Sequence, residues 1–437
     1  MSDKILLIGS GAREHAIAMA IDRAPSSSEL FCLASNLNPG IASQSTEIII
    51  DNFNDPDIVV SYAKEHNITL AIIGPENPLE QGIADALFNS NINVIGPKKN
   101  LAQIETSKGF ARKLLKKNCI PGGPNFQVFT SLLGVENFLN ELGENYVVKF
   151  DGLAGGKGVK VSGDHLHSHR EALQYCMELL EKGSEFVIEE KFIGQEFSLM
   201  SFCDGKTLKH MPAIQDHKRA FEGDTGPNTG GMGTYSDSNH SLPFLKDSDI
   251  KEAQYINEAT AKALKVEFDD EYKGVLYGGF IATADGVKLI EYNARFGDPE
   301  AMNIFSLLET DFVEICKAII TGTLDKLEVT FKKQASVCKY AVPVGYPENP
   351  VKGKPIDISN IKDTKHLFYA SVDIKNGVLI EAGSRTVAFV GIADTIENAE
   401  IIAEKEILKI EGPLYHRKDI GTKDLIHKRI NQMEKIR

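Results

Sequence analysis

Leu289-Ile-Glu-Tyr-Asn-Ala-Arg-Phe-Gly-Asp-Pro-Glu300 brings a pair of metal-type oxygens, a phosphate-type cation and a helix start into one stretch. The run leading into it, Gly286-Val-Lys-Leu-Ile-Glu-Tyr-Asn293, alternates as a strand does. Period-two geometry then puts Glu291 and Asn293 on one face. A carboxylate beside an amide oxygen suits a hard cation whose other ligands are waters and nucleotide phosphates, the usual way Mg2+ is held. Arg295 follows on the same parity if the strand continues, and its planar fork suits a phosphate or carboxylate. Gly297-Asp-Pro breaks the strand, and Pro299 can open the next helix at its first position. For Glu291 and Asn293 alone the competing reading is a polar turn; Arg295 and the Gly-Asp-Pro-Glu run favour a metal–phosphate site.

Upstream, a helix over 248–265 and a strand over 275–282 lead into this stretch. Before them, Gln215-Asp-His-Lys-Arg219 and Asp224-Thr-Gly-Pro-Asn-Thr-Gly-Gly-Met-Gly-Thr-Tyr235 read as one long loop. So many glycines and small polar groups cannot build a core, and a loop that long inside a domain is functional or disordered. The basic residues just before it favour an anion-binding loop. Strands over 185–192 and from Glu196 carry two glutamates seven apart, Glu189 and Glu196, suited to an adenine amino group and ribose hydroxyls or simply to a solvated face.

Strands at 146–150 and 159–162 flank Asp151-Gly-Leu-Ala-Gly-Gly-Lys-Gly158. The glycines can aim backbone N–H groups at phosphate oxygens, with Lys149 and Lys157 adding charge. The spacing fails Gly-x4-Gly-Lys-Ser/Thr, so this is no P-loop. A strand–glycine loop–strand flap over a nucleotide is the reading, with a plain hairpin as its alternative. A helix over 169–181 follows the flap. A Lys-rich helix over 100–118 containing Lys108 ends in Pro121-Gly-Gly-Pro124, a hinge by composition.

The first hundred residues alternate strands (4–8, 29–34, 47–50, 69–74) with helices (to about 23, 57–66, 79–89), which predicts a doubly wound parallel sheet. Its first turn, Gly9-Ser-Gly-Ala-Arg-Glu-His15, suits a phosphate at a helix N-terminus or no ligand at all. NAD does not fit. Glu14 stands where the third glycine of Gly-x-Gly-x-x-Gly belongs, and Ser35-Asn36 replaces the ribose-gripping acid. Polar loops end two other strands, at 36–40 and at Gly74-Pro-Glu-Asn-Pro-Leu79. Downstream, helices over 300–308 and 312–320 precede a last domain from about Phe331 with strands near 335–342, 368–374 and 386–392 and a helix over 395–409. Its Gly383-Ser-Arg385 and 417–421 loops carry no obvious chemistry.

A chain of 437 residues exceeds one ordinary core. With 42% apolar and 25% charged residues it reads as globular, and a formal charge of −13 argues against a nucleic-acid surface. Six scattered cysteines without a Cys-x-x-Cys pair read as reduced, buried thiols of a cytoplasmic protein. Neither a signal peptide nor a membrane span is expected.

Taken together, Arg13-Glu-His15, Gly74-Pro-Glu76, Asp151-Gly-Leu with Gly156-Lys-Gly158, Gln215–Arg219, Asp224–Gly233 and Arg295–Met302 resemble the ATP-grasp ligases, and among them the phosphoribosylamine–glycine ligase family, over nearly the whole chain. The resemblance implies an α/β protein, α+β in part: an N-terminal doubly wound domain (1–103), an ATP-grasp core (104–328, with a mobile flap at about 121–190) and a small C-terminal α+β domain (329–437). It implies ligation of glycine to 5-phosphoribosylamine with ATP and Mg2+ or Mn2+, in a monomer or weak dimer. ATP is then expected at Lys108, Lys149, Gly155, Gly156, Lys157, Gly158, Glu189, Glu190, Phe192 and Glu196, and the metal at Glu291 and Asn293. Substrates are expected at Gly11, Arg13, Glu14, His15, Gly74, Pro75, Glu76, Lys218, Asn228, Thr229, Gly230, Gly231, Met232, Gly233, Arg295, Gly297, Asp298, Pro299 and Glu300. Arg295, Lys157 and Asp216 take the catalytic roles. A glycyl phosphate intermediate follows from the same resemblance. A bicarbonate-using carboxylase or another carboxylate–amine ligase is the nearest alternative, and an NAD-dependent oxidoreductase the remote one.

Overall fold

Unbroken apolar runs such as Ile5–Ile8 and Leu30–Ala34 can be buried only with both faces covered, as in parallel sheets. A computed structural model describes residues 3–26, 28–155 and 158–437. In it these runs form a five-stranded, all-parallel sheet in the order Glu47–Ile50, Ser28–Ala34, Asp3–Ile8, Leu70–Ile73, Asn93–Ile95. The order reverses at Asp3–Ile8, so the crevice beyond its carboxyl end is where such sheets take ligands.

Two expected helices are each broken in two. The 79–89 helix is interrupted at Gly82 (φ +81°), which ends Glu76–Gln81 and starts Ile83–Asn89. The 100–118 helix is interrupted at Ser107, whose extended backbone separates Lys99–Thr106 from Lys108–Lys117 and whose Oγ accepts from Phe110 N at 3.0 Å. That break turns the second helix onto the flap: Lys108 Nζ donates to Gly152 O (2.7 Å) and Gly109 N to Asp151 Oδ1 (3.2 Å). The 36–40 loop is also more than a loop, because Asn38 caps a helix Pro39–Gln44 by accepting from Gly40 N and Ile41 N.

The flap subdomain is an antiparallel sheet in the order Phe126–Phe129, Phe186–Glu190, Tyr146–Phe150, Val159–Val161, with helices Val135–Leu142 and His169–Glu181. Phe129, Leu139, Val148, Leu179 and Phe186 belong to an apolar cluster of its own, separate from the main core. Its Pro121–Pro124 entry is stapled to strand Gly286–Asn293, since Leu289 N donates to Gly122 O at 2.8 Å.

A second antiparallel sheet runs Leu208–His210, Gln195–Asp204, Lys273–Thr283, Gly286–Asn293, with helix Asp247–Phe268 packed against it. The expected 215–235 loop is largely strand. Gln215–Asp216 pairs with Gly233–Ser236, and Gly233–Ser236 pairs with Ala335–Pro343 of the last sheet. Arg219–Phe221 pairs with Thr225–Asn228 as a ribbon. Polar side chains do enter the core here, because each finds a partner: Tyr235 OH donates to Gln215 Oε1 (2.6 Å) and Ser236 Oγ to Ala213 O (2.7 Å).

The last sheet continues through Val387–Ala393 to Leu367–Tyr369. The expected 368–374 strand is split, with Val372–Lys375 pairing instead with Val378–Glu381 as a hairpin. Helix Lys423–Ile436, absent from the sequence reading, closes the chain. All six cysteines are free, and Cys119 is exposed rather than buried.

The N-terminal and last domains meet at His15. Its Nδ1 accepts from Tyr369 N at 3.0 Å, its ring stacks on Tyr369, and Gly40 lies so close that a Cβ there would reach Nε2 at 2.1 Å. Burial holds its imidazole at about 3. The folded chain therefore keeps His15 neutral while the unfolded chain protonates it below about 6.5, so stability falls as pH drops through that window. We expect this residue to contribute a slope of about 1.4 kcal/mol per pH unit between pH 6 and 4. Melting temperatures of a His15→Gln variant should fall less steeply with acid than those of the parent; parallel curves would contradict this.

Candidate active site

Glu291 and Asn293 face a cavity of about 680 Å³ enclosed by the flap, the second sheet, the first turn region and the last domain. Strict alternation would have placed them with Val287 and Leu289, which are buried in the core. A β-bulge intervenes: Gly279 pairs with Glu291 and Phe280 with Leu289, leaving Ile290 as the extra residue. The bulge rotates the strand end, so that Tyr292 turns into the core and Glu291 and Asn293 turn to the cavity. Ile290 O accepts from Arg112 Nη2 (2.5 Å) and Lys149 Nζ (3.0 Å), which pins the bulge.

Lys218 Nζ lies 3.0 Å from Glu291 Oε1. Its charge, opposed by burial, holds the Glu291 carboxyl at about 2, and Glu291 in turn raises the Lys218 ammonium. An ionised carboxylate and an amide oxygen two residues along a strand fit a hard cation that draws its remaining ligands from phosphate and water. Among the described residues no cluster of three or more His, Cys, Asp or Glu could cage a metal by itself.

Arg295 does not continue the strand face. Its Nε meets Glu76 Oε2 at 3.2 Å, its Nη2 meets Glu105 Oε1 at 3.0 Å, and Glu105 Oε2 accepts from Ala294 N at 2.7 Å. Burial pushes the Glu76 carboxyl up, but Arg295 and Arg13 outweigh it and hold it at about 2. Arg13 Nη1 donates to Phe296 O at 3.2 Å. Two arginines and two carboxylates thus lock the first domain against the end of strand Gly286–Asn293.

Glu189 is engaged by Arg112 (2.8 and 3.0 Å) and by Lys149, which also forms an ion pair with it. Its carboxylate lines the cavity with both oxygens engaged. Burial drives the Lys149 ammonium down while Glu189 draws it up, the first effect winning. Lys108, Gly155, Gly158, Glu190, Phe192, Glu196, Pro75, Asp216, Asn228, Thr229, Gly230, Gly297, Asp298 and Glu300 also line the cavity. Gly156 and Lys157 lie outside the described residues.

Gly11, Glu14, His15, Gly74, Gly231, Met232, Gly233 and Pro299 are not on the wall. Glu14 reaches back to Gly11 N (2.6 Å) and fills the first turn, pressing on Gly74, where a Cβ would meet Glu14 Oε1 at 2.0 Å. A carboxylate capping the helix N-terminus occupies the position a pyrophosphate needs. Met232 is buried in the core, and Gly233 packs onto Cys338 O.

Sequence reasoning missed Arg112, Glu105, Tyr277 and Arg385. Arg385 reaches from the last domain to donate to Gly230 O (2.6 Å) and Asp298 O (3.0 Å), pairs with Asp298 Oδ2 (3.1 Å) and lies over the Tyr340 ring. Its neighbours are 155 and 87 positions away in sequence, so local pattern carried no signal.

Three family models match this chain: phosphoribosylglycinamide synthetase N domain over residues 3–105, ATP-grasp (A) domain over 106–301 and C domain over 336–423. The phosphoribosylamine–glycine ligase of Methanosarcina barkeri is 51% identical over 434 residues, covering 99% of this chain and 100% of that one. The crystal structure of phosphoribosylamine–glycine ligase from Thermotoga maritima superposes with a TM-score of 0.81 at 28% identity, covering 95% of this chain and 99% of the other. The biotin carboxylase domain of Hydrogenobacter thermophilus 2-oxoglutarate carboxylase, solved with MgADP and bicarbonate, shares the fold at a TM-score of 0.70 and 14% identity, covering 99% and 94%.

Proposed function

The chain belongs to the phosphoribosylglycinamide synthetase family, and from that premise we propose how its own residues divide the work of the family's reaction. It is an ATP-dependent ligase of purine biosynthesis that joins glycine to 5-phosphoribosylamine, giving glycinamide ribonucleotide, ADP and phosphate. The reaction uses ATP with a divalent cation, which we assign as Mg2+ or Mn2+. The observation that carries the assignment of roles is the bulge at Ile290, which aims Glu291 and Asn293 at the cavity.

In this reading a glycine carboxylate oxygen attacks the γ-phosphorus and the bond to the β-bridging oxygen breaks, releasing ADP and leaving glycyl phosphate. The amine of 5-phosphoribosylamine then attacks the acyl carbon, the C–O bond breaks, and phosphate leaves carrying one glycine oxygen. Such chemistry needs positioning and charge stabilisation more than a protein nucleophile. Lys108 and Lys149 hold phosphate oxygens, with backbone N–H groups of Gly155 and Gly158 as further donors. Lys157 and Arg295 stabilise charge on the transferring group. Glu291 and Asn293 hold the cation, which when bound neutralises phosphate charge. Glu190, Phe192 and Glu196 border the nucleoside, while Glu189 acts through Arg112 and Lys149. Arg13, Glu76 and the 228–230 and 297–298 segments border the phosphosugar and glycine. Closure of the flap, supported by its separate apolar core, shields the acyl phosphate from water.

We divide the chain as 1–103, 104–328 with the flap at about 121–190, and 329–437, noting that Gly233–Ser236 pairs into the last sheet across that final boundary. Among the described residues no helix is long and apolar enough to cross a membrane. We place the enzyme in the cytoplasm as a monomer or weak dimer whose partners are glycine, 5-phosphoribosylamine and ATP, not nucleic acid or a membrane. The test is ADP formation across a substrate panel, with glycine labelled with 18O in its carboxylate. ADP is expected with glycine and 5-phosphoribosylamine together, and one labelled oxygen in the phosphate released. ADP formation with bicarbonate in place of glycine would overturn the ligase reading; unlabelled phosphate would overturn the glycyl phosphate step.

A further inference from the structure

The flap is tied to the rest of the chain at two places. At its root, Lys108 and Gly109 bond to Gly152 and Asp151, Arg112 pairs with Glu189, and Lys149 Nζ donates to Ile290 O. At the outer edge of its sheet, just past strand Val159–Val161, Asp164 Oδ2 meets Arg219 Nη2 at 2.9 Å. Asp164 sits on a tight turn fixed by Gly163 (φ +81°), whose N donates to Leu166 O at 2.8 Å. His165 beside it lies 3.4 Å from Arg219 Nη1 and also meets Val161 N at 3.2 Å. A neutral imidazole accepts on one nitrogen only, so the attraction rests on Asp164. Arg219 is anchored away from the flap, in the ribbon Arg219–Phe221 and Thr225–Asn228. Buried Arg417 pairs with Asp224 (3.1 Å) and donates to Arg219 O (3.1 Å). Arg429 of helix Lys423–Ile436 pairs with Asp224 (2.6 Å), and Gly223 N donates to Asp419 Oδ2 (2.9 Å). Arg219 Nη1 also donates to Gly226 O at 2.8 Å, so its own ribbon aims the guanidinium.

An arginine aimed from a ribbon held by the last domain, meeting a carboxylate on a separately cored flap, is a catch for that flap. Because the flap has its own apolar cluster, pivoting at its root leaves its packing intact. Resting on the ligase reading above, we propose that Arg219 and Asp164 form a latch that holds the flap closed over the reacting groups. Arg219 is then a positioning residue, acting through Asp164 rather than through a substrate. Root and latch together fix the flap from both sides of its sheet. The two side chains are 24% and 48% exposed. A pair this exposed shifts an equilibrium by at most about fivefold. That strength biases closure without locking it, which suits a flap that must open in every turnover. The latch also gives the last domain a part in the reaction, since Arg417, Asp419 and Arg429 hold the ribbon that presents Arg219.

Asp164→Asn and Arg219→Gln, made in the full chain, test the latch by counting ADP against glycinamide ribonucleotide at saturating substrates. Each should raise the ADP formed without product by about two- to fivefold, because water reaches the acyl phosphate more often. Melting temperatures should stay within about one degree of the parent, so the leak is separated from lost stability. Asp164→Arg should leak more than Asp164→Asn, since two cations then face each other. Combining Asp164→Arg with Arg219→Asp should bring the leak back toward the parent, which a general loosening of the fold would not do. If Arg219→Gln fails to fold, the two Asp164 variants carry the test, their side chain being on an exposed turn. A leak equal to the parent's in Asp164→Asn and Asp164→Arg, or a swapped pair that leaks as much as Asp164→Arg, would overturn the latch. A parent enzyme that forms no ADP with glycine and 5-phosphoribosylamine would instead overturn the ligase reading itself.

Discussion

Glu291→Ala will lower kcat for ligation by at least about a thousandfold, the upper end of what removing one preorganised electrostatic contact costs, while the chain keeps its fold. The carboxyl is held at about 2 chiefly by Lys218, so it is ionised throughout the neutral range and ready for a cation. A group whose folded value lies below its ordinary 4.5 contributes stability that is complete above pH 4.5 and drains as the pH falls toward 2. At neutral pH the variant therefore loses that contribution in full. Lys218 is not stranded, since Glu196 and Asp216 also act on it. The net loss should be about 1 kcal/mol, about one to two degrees of melting temperature in a chain of this length. Glu291→Gln keeps the side-chain volume and an oxygen for Lys218, so it should melt closer to the parent and be as inactive. Single-turnover ADP formation together with thermal melting separates the two effects. Turnover within tenfold of the parent in either variant would remove the metal role from Glu291.

That prediction was half legible in the sequence. Residue type singled out the pair as candidates, because a carboxylate and an amide oxygen two apart on a strand suit a hard cation beside an arginine and a phosphate-type turn. Their turn toward the cavity was not read from the sequence, since alternation alone groups them with Val287 and Leu289. The signal for the bulge is nevertheless present: the apolar positions run Val287, Leu289, Tyr292, a one-residue slip in period at Ile290. Local chemistry likewise contained the Ser107 and Asn38 caps, both of which follow ordinary capping rules once read as helix starts. What the sequence could not carry was long-range pairing. Arg112 lies 77 positions from Glu189 and looked like one more cation in a basic helix, and the 383–385 loop looked empty until the fold brought Arg385 to Gly230 and Asp298. The 215–236 segment misled for a related reason: its glycines and hydroxyls looked unable to build a core, yet they pair with strand Ala335–Pro343 from a hundred residues later.

Arg295→Met should damage both activity and stability, by separable routes. The guanidinium is gripped by Glu105, itself 6% exposed, and by Glu76, so removing it leaves Glu105 buried beside another carboxylate. Breaking one side of a buried pair typically costs about 3–5 kcal/mol. Burial already pushes the Glu105 carboxyl up against the pull of Arg295, so part of that loss will be relieved by proton uptake. The variant should accordingly melt well below the parent at pH 8 and recover part of the difference near pH 5, because Glu105 then folds protonated. Adding Glu105→Gln removes the stranded charge while leaving an amide oxygen for Ala294 N, which it accepts at 2.7 Å in the parent. The double variant should therefore regain most of the lost melting temperature, giving a coupling energy of about 1–3 kcal/mol in a double-mutant cycle. On the role proposed for Arg295, activity should not return, and kcat should stay down by about a hundredfold to a thousandfold. A single variant that melts with the parent would show that the Glu76–Arg295–Glu105 clamp holds nothing together. A double variant that recovers turnover along with stability would make Arg295 a structural strut, and the chemistry would then have to rest on the lysines and the cation.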